Sequence, residues 1–309
     1  MTSRRRFIGA TLGAGFAISL PGCQQMGVQT MRKRIIVDTQ IHLWKASAPE
    51  LPWVPGQKPP FPEPFTIERF MTMMDEVGVE RAIVAPPNLT GLRNDYGLEA
   101  ARRYPGRFAV MGRIDTRDPK GASQLPKWRE QPGMLGLRLS FINNAAAELR
   151  DGTADWIWPS AEKAGVPVML LASEMGPELS RIAERHPRLT LIIDHMGIAT
   201  PVAQAGRTGN AINHMVSLAK YPNVSVKLSA TPAYSTEAYP YSDFYPHIRK
   251  LFDAYGPRRC YWGTDYTNSF AKATYRQRLT HFTEALDFLS EEDKDWVLGR
   301  AILERLNWS

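Results

Sequence analysis

The chain has 309 residues, 43% hydrophobic and 22% charged, with a formal net charge of +7. That is enough apolar chain for one large core, and closed barrels of about 250 residues commonly form a single domain. The positive excess is concentrated in Arg4, Arg5 and Arg6 and in Arg32, Lys33 and Arg34. The remainder is close to balanced and carries no long basic stripe, which argues against nucleic acid as a partner.

Residues 1–23 read as an export signal. Ser3-Arg4-Arg5-Arg6-Phe7-Ile8 fits a twin-arginine pattern, and the apolar stretch that runs on to Leu20 is too short to span a bilayer as a stable helix. Leu20-Pro21-Gly22-Cys23 resembles a lipoprotein cleavage box, with Pro21 unusual at its place. The expectation is a periplasmic protein, exported by the twin-arginine route, touching a membrane through lipid on Cys23. Residues 24–34 read as a linker and 35–309 as the folded domain. Cys260 is the other cysteine, so the mature chain has no internal disulfide.

From there strands and helices alternate. Strands are predicted at 35–42, 79–85, 108–114, 134–141, 166–172, 189–195, 223–229 and 259–265, each a near-continuous apolar run of the kind that is buried on both faces. Helices are predicted at 66–77, 95–104, 121–130, 155–164, 177–186, 211–220, 242–255, 274–289 and 291–305. Gly165 ends the fourth helix and Pro187 stops the fifth. Ser290, followed by Glu291, Glu292 and Asp293, caps the last and places negative charge at its N-terminus. The repeat predicts an α/β protein, a single (β/α)8 TIM barrel. An open doubly wound sheet would want a glycine-rich loop after the first strand, where Gln40-Ile41-His42-Leu43-Trp44 stands instead. Residues 45–65, with Pro49, Pro52, Pro55, Pro59, Pro60, Pro62 and Pro64, form a long loop after the first strand, read as a lid or pocket wall.

Polar groups at the carboxyl ends of barrel strands converge on one catalytic face. The first strand places Asp38, Gln40 and His42 on one side by the two-residue period. The fourth offers Arg138, the sixth ends in Asp194-His195, the seventh carries Lys227 and the eighth ends in Asp265. Asp265 is the candidate base, with a pKa that an apolar barrel mouth would raise. His42 and His195 are the candidate donors to a developing oxyanion or a leaving oxygen. Arg138 and Lys227 would add positive charge for an oxyanion or an acidic substrate group; structurally, Arg138 could pair with Asp38 or Asp194, and Lys227 with Asp265. Trp44 reads as a pocket wall, and Gln40, Arg113 and Asn88 as further substrate contacts. His186, His214, His247 and His281 fall on outer helices and read as solvated.

Five segments, in order, resemble the amidohydrolase-related family that includes lactonases and aromatic-acid decarboxylases: Asp38-Thr39-Gln40-Ile41-His42-Leu43-Trp44, Gly136-Leu137-Arg138, Asp194-His195-Met196-Gly197, Val226-Lys227-Leu228-Ser229 and Trp262-Gly263-Thr264-Asp265. The family pattern begins Asp-x-His-x-His, and its metal-dependent members add a histidine on the fifth strand. Here Gln40 stands in the first histidine place and Val166–Ala172 holds no histidine. The resemblance therefore implies a hydrolase without a metal cofactor, a lactonase that opens a cyclic ester of a small-molecule substrate with Asp265 as base. Two alternatives stay open: a metal-dependent amidohydrolase or decarboxylase holding zinc or another divalent ion on His42, His195 and Asp265, and a binding barrel without catalysis.

Overall fold

The computed structural model describes Thr2 and residues 34–309. The export signal, Cys23 and most of the linker lie outside the described residues. Eight strands form one parallel sheet in strictly sequential order: β1 Val37–Ile41, β2 Arg81–Val84, β3 Phe108–Gly112, β4 Met134–Ser140, β5 Val168–Leu171, β6 Leu191–Ile193, β7 Val224–Ser229 and β8 Cys260–Gly263. Their residues are almost all buried, because helices cover the outer face while the strands fill the inner one. Each strand is shorter than its apolar run. The leftover residues turn out of the ladder at the carboxyl end, where they carry the polar groups.

The sheet is brought round into a barrel by polar bonds between its first and last strands. The Thr39 hydroxyl donates to the Trp262 carbonyl at 2.6 Å, and the Asp265 amide donates to the Gln40 carbonyl at 2.9 Å. The seam is tight enough to require glycine at 263, where a Cβ would lie 2.6 Å from Thr39 Oγ1 and 3.1 Å from the Gln40 nitrogen. Gly263→Ala is expected to cost about 1–3 kcal/mol by overcrowding, read as a lower midpoint in thermal or urea unfolding. An unchanged midpoint would mean the seam yields freely.

Inside the barrel, Val37, Ile83, Met111, Met169, Ile192 and Tyr261 pack together, and Trp296, Ile302 and Leu306 of the C-terminal segment join them. A second, larger apolar layer lies between the sheet and the helices. The helix boundaries follow the expected stop signals. Gly165 takes a left-handed φ of 64° after Ile157–Ala164, and Ser290 closes a capping box with Asp293.

Three predicted helices are built differently, and one of them, 291–305, widens into a five-residue turn at Trp296–Arg300 between Glu291–Asp295 and Ala301–Leu306. Residues 119–130 wind in tighter, three-residue turns, with Pro126 inside the segment lacking the N–H that a regular helix would use. The predicted helix 274–289 is regular only over Tyr275–Thr280. It then widens into a five-residue turn, His281–Ala285, and ends at Leu286. The widened turn carries His281 inward. Its ring is 1% exposed and meets Tyr241, Tyr245 and Phe282, which corrects the expectation of a solvated histidine. Burial pushes its pKa down to about 4. In the Pro-rich loop, Trp44 pairs its amide with the Phe65 carbonyl at 3.0 Å, pinning the loop's two ends together.

Candidate active site

The carboxyl ends of β1, β6 and β8 bring His42, His195 and Asp265 together. His42 Nε2 lies 3.1 Å from Asp265 Oδ1, and His195 Nε2 lies 3.7 Å from Oδ2. Both turns that present these groups use left-handed backbone at non-glycine residues: φ is 52° at His195, 59° at Met196 and 48° at Asp265. Such conformations cost energy outside glycine and concentrate where a side chain must be aimed.

Sequence reasoning missed two supporting residues. Asn268, three positions after the acid, donates its amide to both Asp265 oxygens at 2.8 and 2.9 Å. Ser229, at the end of β7, lies with its hydroxyl 2.8 Å from His195 Nδ1. Asn268 had a signal in the i, i+3 spacing beyond a strand end; Ser229 had one in its place within Val226–Ser229.

Hydrogen bonding fixes the protons of His42. Its Nδ1 lies 2.6 Å from the Ala85 carbonyl, which can only accept, so Nδ1 carries hydrogen. Its Nε2 faces Asp265 Oδ1 at 3.1 Å. Burial alone would raise the acid, yet the His195 and His42 imidazoles and the Asn268 amide hold it well below the usual carboxylate range. This reverses the expected upward shift, because the mouth around Asp265 is polar rather than apolar. His195 is pushed down to about 4 by burial, against the opposing charges of Asp265 and Asp194. At neutral pH it is uncharged.

Beside this triad lies a fully buried charge network. Asp194 sits between Lys227 Nζ at 2.7 Å and Arg138 Nε at 3.0 Å. The Lys227 ammonium also donates to the Thr39 carbonyl at 3.2 Å and to Gln40 Oε1. Burial lowers the Lys227 pKa while Asp194 opposes it, and Asp194 is held down by Lys227 and Arg138 against its own burial. Arg138 and Lys227 thus both pair with Asp194, not with Asp38 or Asp265.

Asp38 belongs to the barrel seam instead. It accepts from the Thr264 amide and hydroxyl at 2.8 and 2.6 Å and from the Tyr275 hydroxyl at 3.1 Å. Burial pushes it up to about 6 despite these donors.

A cavity of about 590 Å³ opens above these groups. His42, His195, Asp265, Arg138 and Asn88 line it, with Phe141, Leu171, Met175 and Tyr234 forming apolar walls. Arg113 stands behind Asn88, its Nη2 donating to Asn88 Oδ1 at 2.5 Å. Three expected substrate contacts lie elsewhere. Trp44 is fully buried against Phe65, while Gln40 and Lys227 are wholly buried within the charge network, beneath the cavity floor.

His195 sets a pH prediction. Its folded pKa lies below its ordinary value, so it stays neutral until the medium falls to about 4. Protonation there would set a cation against Asp265 and engage the base. Turnover is therefore expected to hold from neutrality down to about pH 5, with an acid limb near 4 in kcat/KM. A limb near the ordinary histidine value would contradict this assignment.

A nearly closed eight-stranded barrel with an acid and two imidazoles at its strand ends fits a (β/α)8 hydrolase. The amidohydrolase family pattern matches residues 37–303, and the chain belongs to that family. It is similar to an L-fucono-1,5-lactonase of Burkholderia ambifaria, 27% identical over 243 residues, covering 74% of this chain and 79% of that protein. A 4-sulfomuconolactone hydrolase of Hydrogenophaga intermedia is 28% identical over 236 residues, 75% of this chain and 74% of that protein. Among solved structures, an amidohydrolase from Burkholderia multivorans with bound zinc superposes with a TM-score of 0.74 at 19% identity, covering 89% of this chain and 100% of that one. A 5-carboxyvanillate decarboxylase from Novosphingobium aromaticivorans, complexed with manganese, gives 0.62 at 16% identity over 89% and 96%. Both structures share the fold.

These neighbours raise the question of a metal here. Among the described residues no group of three or more His, Cys, Asp or Glu is placed to hold a metal ion. Gln40 is committed through its Oε1 to the Lys227 ammonium, and Asp194 is neutralised by two cations. The donors left at the cavity are His42, His195 and Asp265.

Proposed function

We propose that the protein is a metal-independent lactonase, which adds water to the carbonyl of a cyclic ester and releases the open hydroxy acid. One observation carries this: the Asp265 carboxylate lies 3.1 Å from His42 Nε2 and 3.7 Å from His195 Nε2 at the floor of a ligand-sized cavity. Lactonases among the relatives of known activity support the substrate class.

An incoming carbonyl oxygen takes the His42 Nε2 hydrogen bond away from Asp265. The exchange polarises the carbonyl and, by removing a donor from the carboxylate, restores its basicity. Asp265 then accepts a proton from water as the oxygen attacks carbon. The tetrahedral oxyanion is held by His42 and by neutral His195. When the ring C–O bond breaks, the proton on Asp265 passes to the leaving alkoxide, and the carboxylate is regenerated. Lactone and water become hydroxy acid with no net change in the enzyme. Esters suit such a site because their carbonyl needs less activation than that of an amide.

The test is a panel of five- and six-membered lactones followed by proton release. Hydrolysis of at least one well above the uncatalysed rate is expected. Tight binding across the panel with no turnover would favour the inert binding barrel.

We further propose that residues 1–23 direct export by the twin-arginine route, with lipid on Cys23. The supports are the Arg4-Arg5-Arg6 run, the short apolar stretch and the box ending at Cys23. Mass spectrometry of the mature protein from a bacterial host should find an acylated N-terminal Cys23 in the membrane fraction. A soluble product with an unmodified N-terminus would refute the lipid anchor. Among the described residues no helix is long and apolar enough to cross a membrane.

A further inference from the structure

The inner face of β7 is polar along its whole length. Val224, Val226 and Leu228 belong to the apolar layer between sheet and helices, whereas the alternate residues Ser225, Lys227 and Ser229 are polar and fully buried. Each of the three reaches β6 or the turn that follows it. The Ser225 hydroxyl donates to the Leu191 carbonyl at 3.2 Å, and Lys227 Nζ lies 2.7 Å from Asp194 Oδ1. The Ser229 hydroxyl, last in the row, lies 2.8 Å from His195 Nδ1. A hold on that ring is needed, because His195 and Met196 leave the strand in left-handed backbone, with φ of 52° and 59°.

The hydroxyl decides the direction of that last bond. At His42, Nδ1 meets a carbonyl, which can only accept, so the ring donates. At His195, Nδ1 meets a hydroxyl, which can do either. Ser229 is fully buried, and among the described residues its hydroxyl has no hydrogen-bond partner besides His195 Nδ1. If the ring donated, the hydroxyl proton would be enclosed with nothing to accept it, at the full cost of desolvating that group. If the hydroxyl donates, its proton meets the Nδ1 lone pair, and the ring hydrogen sits on Nε2, on the side of Asp265 Oδ2. At 3.7 Å that separation is too long for a hydrogen bond, so the N–H is not spent on the acid. His195 lines the cavity, which leaves this donor open to a ligand oxygen.

We propose that Ser229 is a positioning residue for this site: its hydroxyl donates to His195 Nδ1, fixes the tautomer with hydrogen on Nε2, and so keeps an imidazole N–H aimed at the substrate carbonyl oxygen. The tautomer stands on the geometry alone; its use in turnover rests on the lactonase reading. Ser229 is not among the residues lining the cavity and acts only through the ring. The reverse tautomer, with Nδ1 donating and Nε2 bare, is the form in which an imidazole binds a metal through Nε2.

The experiment uses the full chain with isotope-labelled histidine and a long-range proton–nitrogen NMR correlation near neutral pH. A His195→Gln protein marks which signals belong to this ring. Nδ1 of His195 is expected to resonate as a pyridine-type nitrogen and Nε2 as a pyrrole-type one. A pyrrole-type Nδ1, with or without hydrogen on Nε2, overturns the proposal. Ser229→Ala is expected to shift the Nδ1 signal and to lower kcat for a lactone roughly ten-fold with little change in KM. Ser229→Thr, which keeps the hydroxyl, should recover most of both. A urea midpoint for each variant separates loss of fold from loss of the donor. A folded Ser229→Ala protein with either the wild-type ring signals or the wild-type kcat would also overturn the proposal. A pyridine-type Nδ1 in a wild-type protein that opens no lactone would sustain the tautomer while counting against the lactonase reading. Lactone turnover with a pyrrole-type Nδ1 would do the reverse.

Discussion

Asp265→Asn is expected to lower kcat/KM for a lactone by about three orders of magnitude while leaving the fold intact, because one positioned acid–base group typically supplies a factor of this size. The substitution keeps the shape and the Asn268 contact but removes the carboxylate that lies between the two imidazoles. It also changes the group that faces His42 Nε2, so the variant should differ in the histidine region of its proton NMR spectrum. A variant retaining a tenth or more of the activity would mean that another group takes the proton.

Asp194→Asn should act on stability instead. Asp194 is fully buried between two cations, and its loss would leave Lys227 and Arg138 enclosed and uncompensated. Breaking a buried pair in this way costs about 3–5 kcal/mol, a large part of the stability of an ordinary domain. The loss should be visible as a lower urea midpoint. Adding Lys227→Met should restore part of it, because one stranded charge goes with it. The sign with pH follows from the lowered Asp194 pKa: its contribution is present above the unfolded carboxylate value and is lost as the medium becomes more acid. Asp38 runs the other way. Raised to about 6, it favours the folded state below its ordinary value, and that contribution disappears as pH rises through 6.

The barrel was legible because a strand covered on both sides must be apolar along its whole length, and eight such runs recur with helices between them. The polar residues that interrupt those runs at their ends were legible for the same reason: His42, His195 and Asp265 have no cause to stand there unless they face a common space. What each touches was not legible. Arg138 had two candidate partners, and only the three-dimensional stagger of β4 and β6 selects Asp194. Gln40 was read as a substrate contact, but its neighbour across the barrel is the Lys227 ammonium, which needs oxygen acceptors more than the cavity does.

Asp265 was expected to be a raised acid in apolar surroundings. Its pKa direction depends on two histidines more than 60 residues away, outside any local window, and on Asn268, whose nearness in sequence does not by itself show that its amide turns back onto the acid. His281 was misplaced for a different reason. A regular helical period puts it outward, and the widened turn at His281–Ala285 slips that period and turns it in. Trp44 was read as a cavity wall from its position after β1; its bond to Phe65 places it in the packing beneath the Pro-rich loop.

The central claim is that Asp265 moves the proton with no metal to help it. The most direct measurement is lactone hydrolysis by protein stripped with a strong chelator, with elemental analysis of the same sample. Unchanged kcat/KM in protein without stoichiometric zinc or manganese is the predicted result. Turnover that vanishes on stripping and returns with one bound equivalent of metal would contradict it.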